Sequence, residues 1–223
     1  MMTKNPKAII FDLDGVITDT AEYHYQAWKQ LAAERGITID RAFNEQLKGV
    51  SRMDSLERIL ALKPELELSR EEKERLATKK NDHYKELIEH ISPADLLPGI
   101  AKLLADIKKE GIPMALASAS KNAPAVIKRL EVEHYFDHVV DAAKVEKGKP
   151  DPEIFLKAAD ALGVPYEECI GIEDAPAGVE AVNKAGMFSV GVGSVESLHH
   201  ADYVVTDTSQ LVLEDIIKRY NQC

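Results

Sequence analysis

Two carboxylates one residue apart, Asp12 and Asp14, end a short apolar run, Ala8 to Phe11, and Gly15 follows them at once. The run reads as a buried strand, and a glycine after it admits the backbone angles of a sharp turn. Side chains alternate along an extended segment, so Asp12 and Asp14 are expected to point the same way while Leu13 returns to the core. Two acids facing one small volume repel each other unless a cation sits between them or one keeps its proton, and either arrangement is a chemical site. The alternative for so short a motif is a solvated strand end.

Three more stretches place reactive residue types just after an apolar run. Ser118-Ala119-Ser120-Lys121-Asn122 follows Met114 to Ala117 and combines hydroxyls, a cation and a helix-capping Asn. Such a turn leaves backbone N–H groups for a phosphate. Gly148-Lys149-Pro150-Asp151-Pro152 presents Lys149 on a turn stiffened by prolines, where the competing reading is a solvated surface lysine. Glu173 and Asp174 end the run Cys169 to Ile172 and precede a helix start rich in small residues. Those acids could simply favour a helix N-terminus, an effect of about 0.3 to 1 kcal/mol.

The elements that position these residues follow from hydrophobic period. After Thr20 the pattern turns helical, with Tyr23, Ala27, Trp28, Leu31 and Ala32 on one stripe and Gly36 as the stop. Helical runs follow at 41–48, 51–62 and 69–89, the last opened by Ser69 with Glu72 three residues on, a capping-box spacing. Residues 20–91 therefore read as a helical insertion, with 92–99 leading back to the rest of the chain. From Gly99 onward, helices (100–109, 122–130, 152–162, 175–185 and one from Leu211) alternate with strands (114–117, 139–140, 169–172, 189–192 and 203–205). Alternation of this kind predicts an α/β protein with a doubly wound parallel sheet and right-handed crossovers. Ligands of such sheets bind beyond the carboxyl ends of the strands, where the four reactive stretches fall. The expected division is a Rossmann-like core made of 1–19 and 92–223 and a helical domain at 20–91.

The apolar run, the Asp-Leu-Asp-Gly-Val at 12–16 and the Asp-Thr at 19–20 resemble the signature of the haloacid dehalogenase superfamily. The hydroxyl, lysine and carboxylate-pair motifs follow in that superfamily's order. The resemblance implies phosphoryl transfer through an aspartyl-phosphate, with Asp12 as nucleophile and Asp14 as general acid/base. It also implies that Ser118 and Lys149 hold the transferring phosphoryl oxygens. Mg²⁺ would be held by Asp12, the main-chain carbonyl of Asp14, Glu173 and Asp174. An all-oxygen site built from carboxylates suits this hard cation.

In the superfamily a helical insertion at this point is a cap that carries substrate specificity. Here it contains His24, the turn Lys48-Gly49-Val50-Ser51-Arg52, and Lys80. A turn with two cations on an acidic chain has the makings of a second phosphate clamp, and Arg52 can bind two oxygens at once. The competing readings are a partly buried helix residue for His24 and a solvated face for Lys48, Arg52 and Lys80. Asp-Thr-Ala-Glu-Tyr-His at 19–24, Lys-Asn-Asp at 80–82, Ser-Pro-Ala-Asp at 92–95 and Ala-Ser-Ala-Ser-Lys-Asn at 117–122 narrow the resemblance to the sugar-phosphate mutases of the superfamily. This implies interconversion of β-glucose 1-phosphate and glucose 6-phosphate, with glucose 1,6-bisphosphate as intermediate and activator. Thr20 would then lie at a hinge and His24 near Asp14. Lys48, Gly49, Val50, Arg52, Lys80, Ala119, Ser120, Lys121 and Asn122 would contact the sugar or the non-transferring phosphate.

Composition limits the alternatives. The chain has 223 residues, 45% of them hydrophobic and 30% charged, with a formal net charge of -10. That charge argues against a general nucleic-acid or anionic-membrane surface. No apolar run approaches a membrane helix, and Met1 to Lys7 lacks the apolar centre of a signal peptide, so a cytoplasmic protein is expected. The resemblance implies small sugar phosphates as its partners, and a monomer is expected. Cys169 and Cys223 form neither a metal spacing nor a disulfide framework, and the adjacent His199 and His200 receive no role. Two other readings share the core motifs. One is a sugar-phosphate phosphatase, in which water receives the phosphoryl group. The other is a non-enzymatic receiver module, which needs neither an enclosing insertion nor a second acid at Asp14.

Overall fold

The computed structural model describes residues 5–47 and 50–222. The chain folds into two compact units, Met1–Asp19 with Ser92–Cys223, and Thr20–Ile91.

In the first unit six strands form one parallel sheet: β1 (Ala8–Phe11), β2 (Met114–Leu116), β3 (His138–Val139), β4 (Cys169–Glu173), β5 (Phe188–Val192) and β6 (Tyr203–Val205). Their spatial order is β3-β2-β1-β4-β5-β6. The chain winds outward from β1 through β2 to β3, then crosses back to build β4, β5 and β6 on the other side. The winding direction thus reverses between β1 and β4, where Phe11 pairs with Ile172. Open α/β sheets bind ligands at such a switch point, beyond the carboxyl ends of the strands.

All four residues of β1 are fully buried, as expected for a central strand covered on both faces. Ala8 and Ile10 join one core cluster with Ile154, Phe155, Ala158, Ala181 and Val182. These come from α7 (Glu153–Leu162) and α8 (Pro176–Lys184), which pack on β1 to β3 and on β4 and β5 respectively. Ile9 and Phe11 alternate to the opposite face. The other helices of this unit are α5 (Ile100–Lys109), α6 (Ala123–Arg129) and α9 (Leu213–Tyr220), with α5 packed on α9. The stripe Ile100, Leu103, Leu104 and Ile107, spaced one helical turn apart and fully buried, explains why α5 forms and which face it hides.

Before the helical unit, Ile17 accepts a hydrogen bond from the Leu97 N–H at 3.0 Å, and Thr18 donates through Oγ1 to the Asp95 carbonyl at 2.7 Å. An antiparallel bridge between Thr18 and Leu96 adds to these, so the outgoing and returning chain segments are pinned to each other within the first unit.

The second unit is helical: α1 (Ala21–Glu34), α2 (Arg41–Glu45), α3 (Arg52–Leu60) and α4 (Arg70–Leu87). Tyr25, Trp28, Leu31, Leu56, Ile59 and Leu76 form its core, and both α1 and α3 pack on α4. The Ser69–Glu72 capping box opens α4 as its spacing predicts. Element boundaries shift from expectation by a few residues, as α3 ending at Leu60, α4 at Leu87 and α9 starting at Leu213 show, and two further shifts have a local cause. The helix expected over 41–48 ends at Glu45, because only one turn forms beyond the Asp40 cap before Gln46. The edge strand β3 sits one residue earlier than expected, since its register is set by pairing of Ala115 with His138 rather than by its own short apolar pattern. No helix among the described residues is long and apolar enough to cross a membrane.

Candidate active site

Asp12 follows β1 and continues its ladder, donating its N–H to the Ile172 carbonyl at 2.9 Å. It is 5% exposed. The turn behind it closes through the Gly15 N–H to the Thr18 carbonyl at 2.7 Å and the Ile17 N–H to the Leu13 carbonyl at 2.8 Å. Gly15 has φ +74, which L side chains rarely adopt. Space demands glycine there as well: an added Cβ would stand 2.1 Å from Asp174 Oδ2. Gly178 in the first turn of α8 admits the neighbouring acid in the same way, since its Cβ would lie 2.0 Å from the Glu173 carboxyl carbon.

These close approaches bring Asp12, Glu173 and Asp174 together, one oxygen of each within 4.8 Å of the others. Lys149 lies against the cluster with its side chain 1% exposed, donating to Asp12 Oδ1 at 2.8 Å and to Glu173 Oε1. Its ammonium also sits 5.2 Å from the centre of the Phe155 ring. Burial acts to lower the Lys149 pKa, but the two carboxylates outweigh it and raise the value, so the ammonium stays charged. Burial pushes the Glu173 carboxyl up to about 7, with Asp12 adding to the rise and Lys149 opposing it. Glu173 Oε2 accepts from the N–H groups of Asp174 and Ala175 at 3.0 and 3.2 Å. Three carboxylates against one ammonium leave a formal excess of two negative charges. A small divalent cation with oxygen preference fits that charge and donor set.

After β2, Ser118 is buried and its hydroxyl accepts from the Ser120 N–H at 3.1 Å. Ser120 Oγ in turn accepts from the Asn122 N–H at 3.3 Å. This corrects one expectation: two of the loop's amides are taken up by its own serines, and Asn122, although at the N-cap position of α6, makes no capping bond through its side chain. Lys121 is exposed, Ala119 and Ser120 are half-buried, and Asn122 is buried.

The helical unit gathers a second set. Lys80 is 3% exposed and its Nζ lies 2.7 Å from His24 Nδ1. An ammonium can only donate, so Nδ1 accepts and the ring proton resides on Nε2. His24 stacks on Tyr84 with ring centres 4.0 Å apart, and the Lys80 ammonium lies over the Trp28 and Tyr84 rings at 4.6 and 4.8 Å. Burial, then the charges of Lys80 and Arg52, hold the His24 pKa well below its ordinary value, so the ring is neutral. Burial also lowers the Arg52 pKa, against Asp82 and Tyr84. Thr20 is buried, and its hydroxyl accepts from the Tyr84 O–H at 3.1 Å.

The structure thus joins Asp12, Lys149, Glu173 and Asp174 in one cluster and His24 with Lys80 in another. The Asp14 carboxylate is not a member of the acidic trio. Val50 is half-buried, and Lys48 and Gly49 lie outside the described residues. Tyr84 and Gly178 carried no sequence expectation of their own. The spacing of Tyr84 four residues after Lys80 was the available signal for the first, and nothing local marks the second.

A family model described as haloacid dehalogenase-like hydrolase matches residues 6–186. The chain is 50% identical over 217 residues to the β-phosphoglucomutase of Bacillus subtilis (strain 168), covering 97% of this chain and 96% of that one. A crystal structure of β-phosphoglucomutase from Clostridium difficile superposes with a TM-score of 0.95 at 53% identity, covering 97% of each chain. A phosphorylated carbohydrates phosphatase of Thermotoga maritima is 33% identical over 196 residues, 86% of this chain and 87% of that one. With its parallel sheet, its acidic strand ends and these matches, the chain belongs to the haloacid dehalogenase-like hydrolase family.

Proposed function

We propose that the protein is a phosphomutase that interconverts β-D-glucose 1-phosphate and D-glucose 6-phosphate through a phospho-aspartyl enzyme and β-glucose 1,6-bisphosphate. The observation that carries this reading is identity of 50% and 53% to two β-phosphoglucomutases along almost the whole chain, helical unit included.

In this reading an Asp12 oxygen attacks phosphorus and the bond from phosphorus to the donor oxygen breaks. The phosphoryl group passes to one sugar hydroxyl, the bisphosphate reorients, and its other phosphoryl group returns to Asp12. Asp14 gives or takes the hydroxyl proton, a contribution typically of about 10² to 10⁴ in rate. Lys149, already charged beside Asp12, and the Ser118 hydroxyl hold the phosphoryl oxygens. Mg²⁺, held by Asp12, the Asp14 carbonyl, Glu173 and Asp174, would supply the positive charge that lets an anionic nucleophile approach a phosphate dianion.

A mutase needs a second phosphate subsite, and Arg52 with Lys121 and Asn122 is assigned to it. The same reading assigns Val50, Ala119, Ser120, His24 and Lys80 to substrate binding, together with Lys48 and Gly49, which lie outside the described residues. Thr20 acts as the hinge of a helical cap that excludes water.

A phosphatase is the second reading, supported by the Thermotoga maritima relative. One assay separates them: purified protein with Mg²⁺, β-glucose 1-phosphate and a trace of the bisphosphate, followed for glucose 6-phosphate and inorganic phosphate together. The mutase reading expects glucose 6-phosphate with little free phosphate and no turnover of the α-anomer. Phosphate released as fast as substrate disappears would establish the hydrolase.

A further inference from the structure

The loop after β5 carries two adjacent imidazoles, His199 and His200, that the chemistry above does not use. The loop is well anchored. Leu198 is 1% exposed, its N–H donates to the Ser194 carbonyl at 3.0 Å, and the Ala201 N–H returns to the Leu198 carbonyl at 2.9 Å. Asn183 of α8 donates through Nδ2 to the His200 carbonyl at 2.8 Å.

Each imidazole is oriented by a backbone carbonyl. His199 Nδ1 lies 3.0 Å from the Glu196 carbonyl, and His200 Nε2 lies 3.0 Å from the Pro176 carbonyl at the start of α8. Carbonyls only accept, so each of these nitrogens carries the ring proton. The lone pairs therefore reside on His199 Nε2 and His200 Nδ1. Donation of one ring N–H to a carbonyl is the outer bond that fixes tautomer and orientation in metal-binding histidines, and it raises the basicity of the other nitrogen. The ring centres are 5.4 Å apart with planes at 67°. Two imidazoles sharing one cation at usual metal–nitrogen distances place their centres about 5 Å apart.

We propose that His199 and His200 form a binding site for a borderline divalent transition cation of the Zn²⁺ or Ni²⁺ class. Water completes the coordination. The site differs in kind from the acidic cluster, since imidazole nitrogens favour these cations and carboxylate oxygens favour Mg²⁺. Occupancy ties the two imidazoles of the loop to each other, while His200 keeps its bond to the Pro176 carbonyl at the start of α8.

The test is a Ni²⁺ titration of tag-free protein by calorimetry with Mg²⁺ at saturation, which keeps the acidic cluster filled. The parent should bind one Ni²⁺. His199→Ala and His200→Gln should each weaken it by about tenfold or more, and the double variant should lose it. His200→Gln retains a side-chain N–H for the Pro176 carbonyl, and His199→Ala disturbs only a loop contact, so loss of binding in both reports ligation rather than unfolding. Long-range proton–nitrogen NMR should find the proton of His199 on Nδ1 and that of His200 on Nε2. Unaltered Ni²⁺ binding by the double variant, no Ni²⁺ binding by the parent, or the opposite tautomers would overturn the proposal.

Discussion

Asp174 occupies the space that a side chain at position 15 would need, its Oδ2 lying 2.1 Å from the Cβ that Gly15 lacks. The tip of the turn after β1 is therefore bare, so that the Asp174 carboxylate just after β4 can reach Asp12. Gly15→Ala should strain the positive φ by about 1–2 kcal/mol and push Asp174 out of the trio. Apparent Mg²⁺ affinity in the mutase assay should fall by about tenfold or more. Gly178→Ala provides the contrast. Its helical φ carries no strain and alanine propensity alone would add about 1 kcal/mol of stability, yet contact with Glu173 should lower the melting temperature. A melting temperature raised by Gly178→Ala would contradict the close approach.

Lys149→Met removes the cation that faces Asp12 and Glu173 and leaves two buried carboxylates without it. Breaking a buried pair from one side typically costs about 3–5 kcal/mol. Added Mg²⁺ should recover more stability in this variant than in the parent, because it replaces part of the missing charge. Thermal melts with and without Mg²⁺ read this directly, and an equal Mg²⁺ increment in both proteins would count against it.

His24 makes stability depend on pH in a stated direction. Its native pKa is lowered by burial and by Lys80 and Arg52, so the folded ring is neutral while the unfolded ring gains a proton below about 6.5. The unfolded state then binds more protons, stability rises with pH, and it is lost as pH falls through that value. His24→Gln should flatten the curve of stability against pH between about 5 and 7. A slope equal to the parent's would place the titration elsewhere.

Arg52→Ala should reduce mutase turnover far more than phosphoryl transfer to Asp12 from a small donor such as acetyl phosphate, because only the sugar bisphosphate needs a distal clamp. Equal losses in the two assays would contradict the subsite assigned to Arg52.

The strand ends were readable in the sequence because a fully buried parallel strand is a short apolar run, and the acids and the hydroxyl interrupt it where the chain leaves the sheet, whereas Lys149 comes ten residues after β3 ends at Val139. The Ser69–Glu72 box was equally readable, being local in sequence. Features made by distant packing were not. Nothing near Gly178 announces that Glu173 fills its space, and the Trp28 and Tyr84 rings around Lys80 meet only when α1 packs on α4. The loop Ser118–Asn122 was legible in its composition, but its serines spend themselves on the loop's own amides at Ser120 and Asn122. The two-residue strand β3 slipped by one position because an edge strand takes its register from its neighbour.

The whole account turns on Asp12 as the residue that carries the phosphoryl group. The most direct measurement is glucose 6-phosphate formation from β-glucose 1-phosphate by Asp12→Asn, with Mg²⁺ and bisphosphate present and folding verified by its melt. The account predicts no turnover above background and no phosphate retained on the protein. Isomerisation by Asp12→Asn at a rate near the parent's would contradict it.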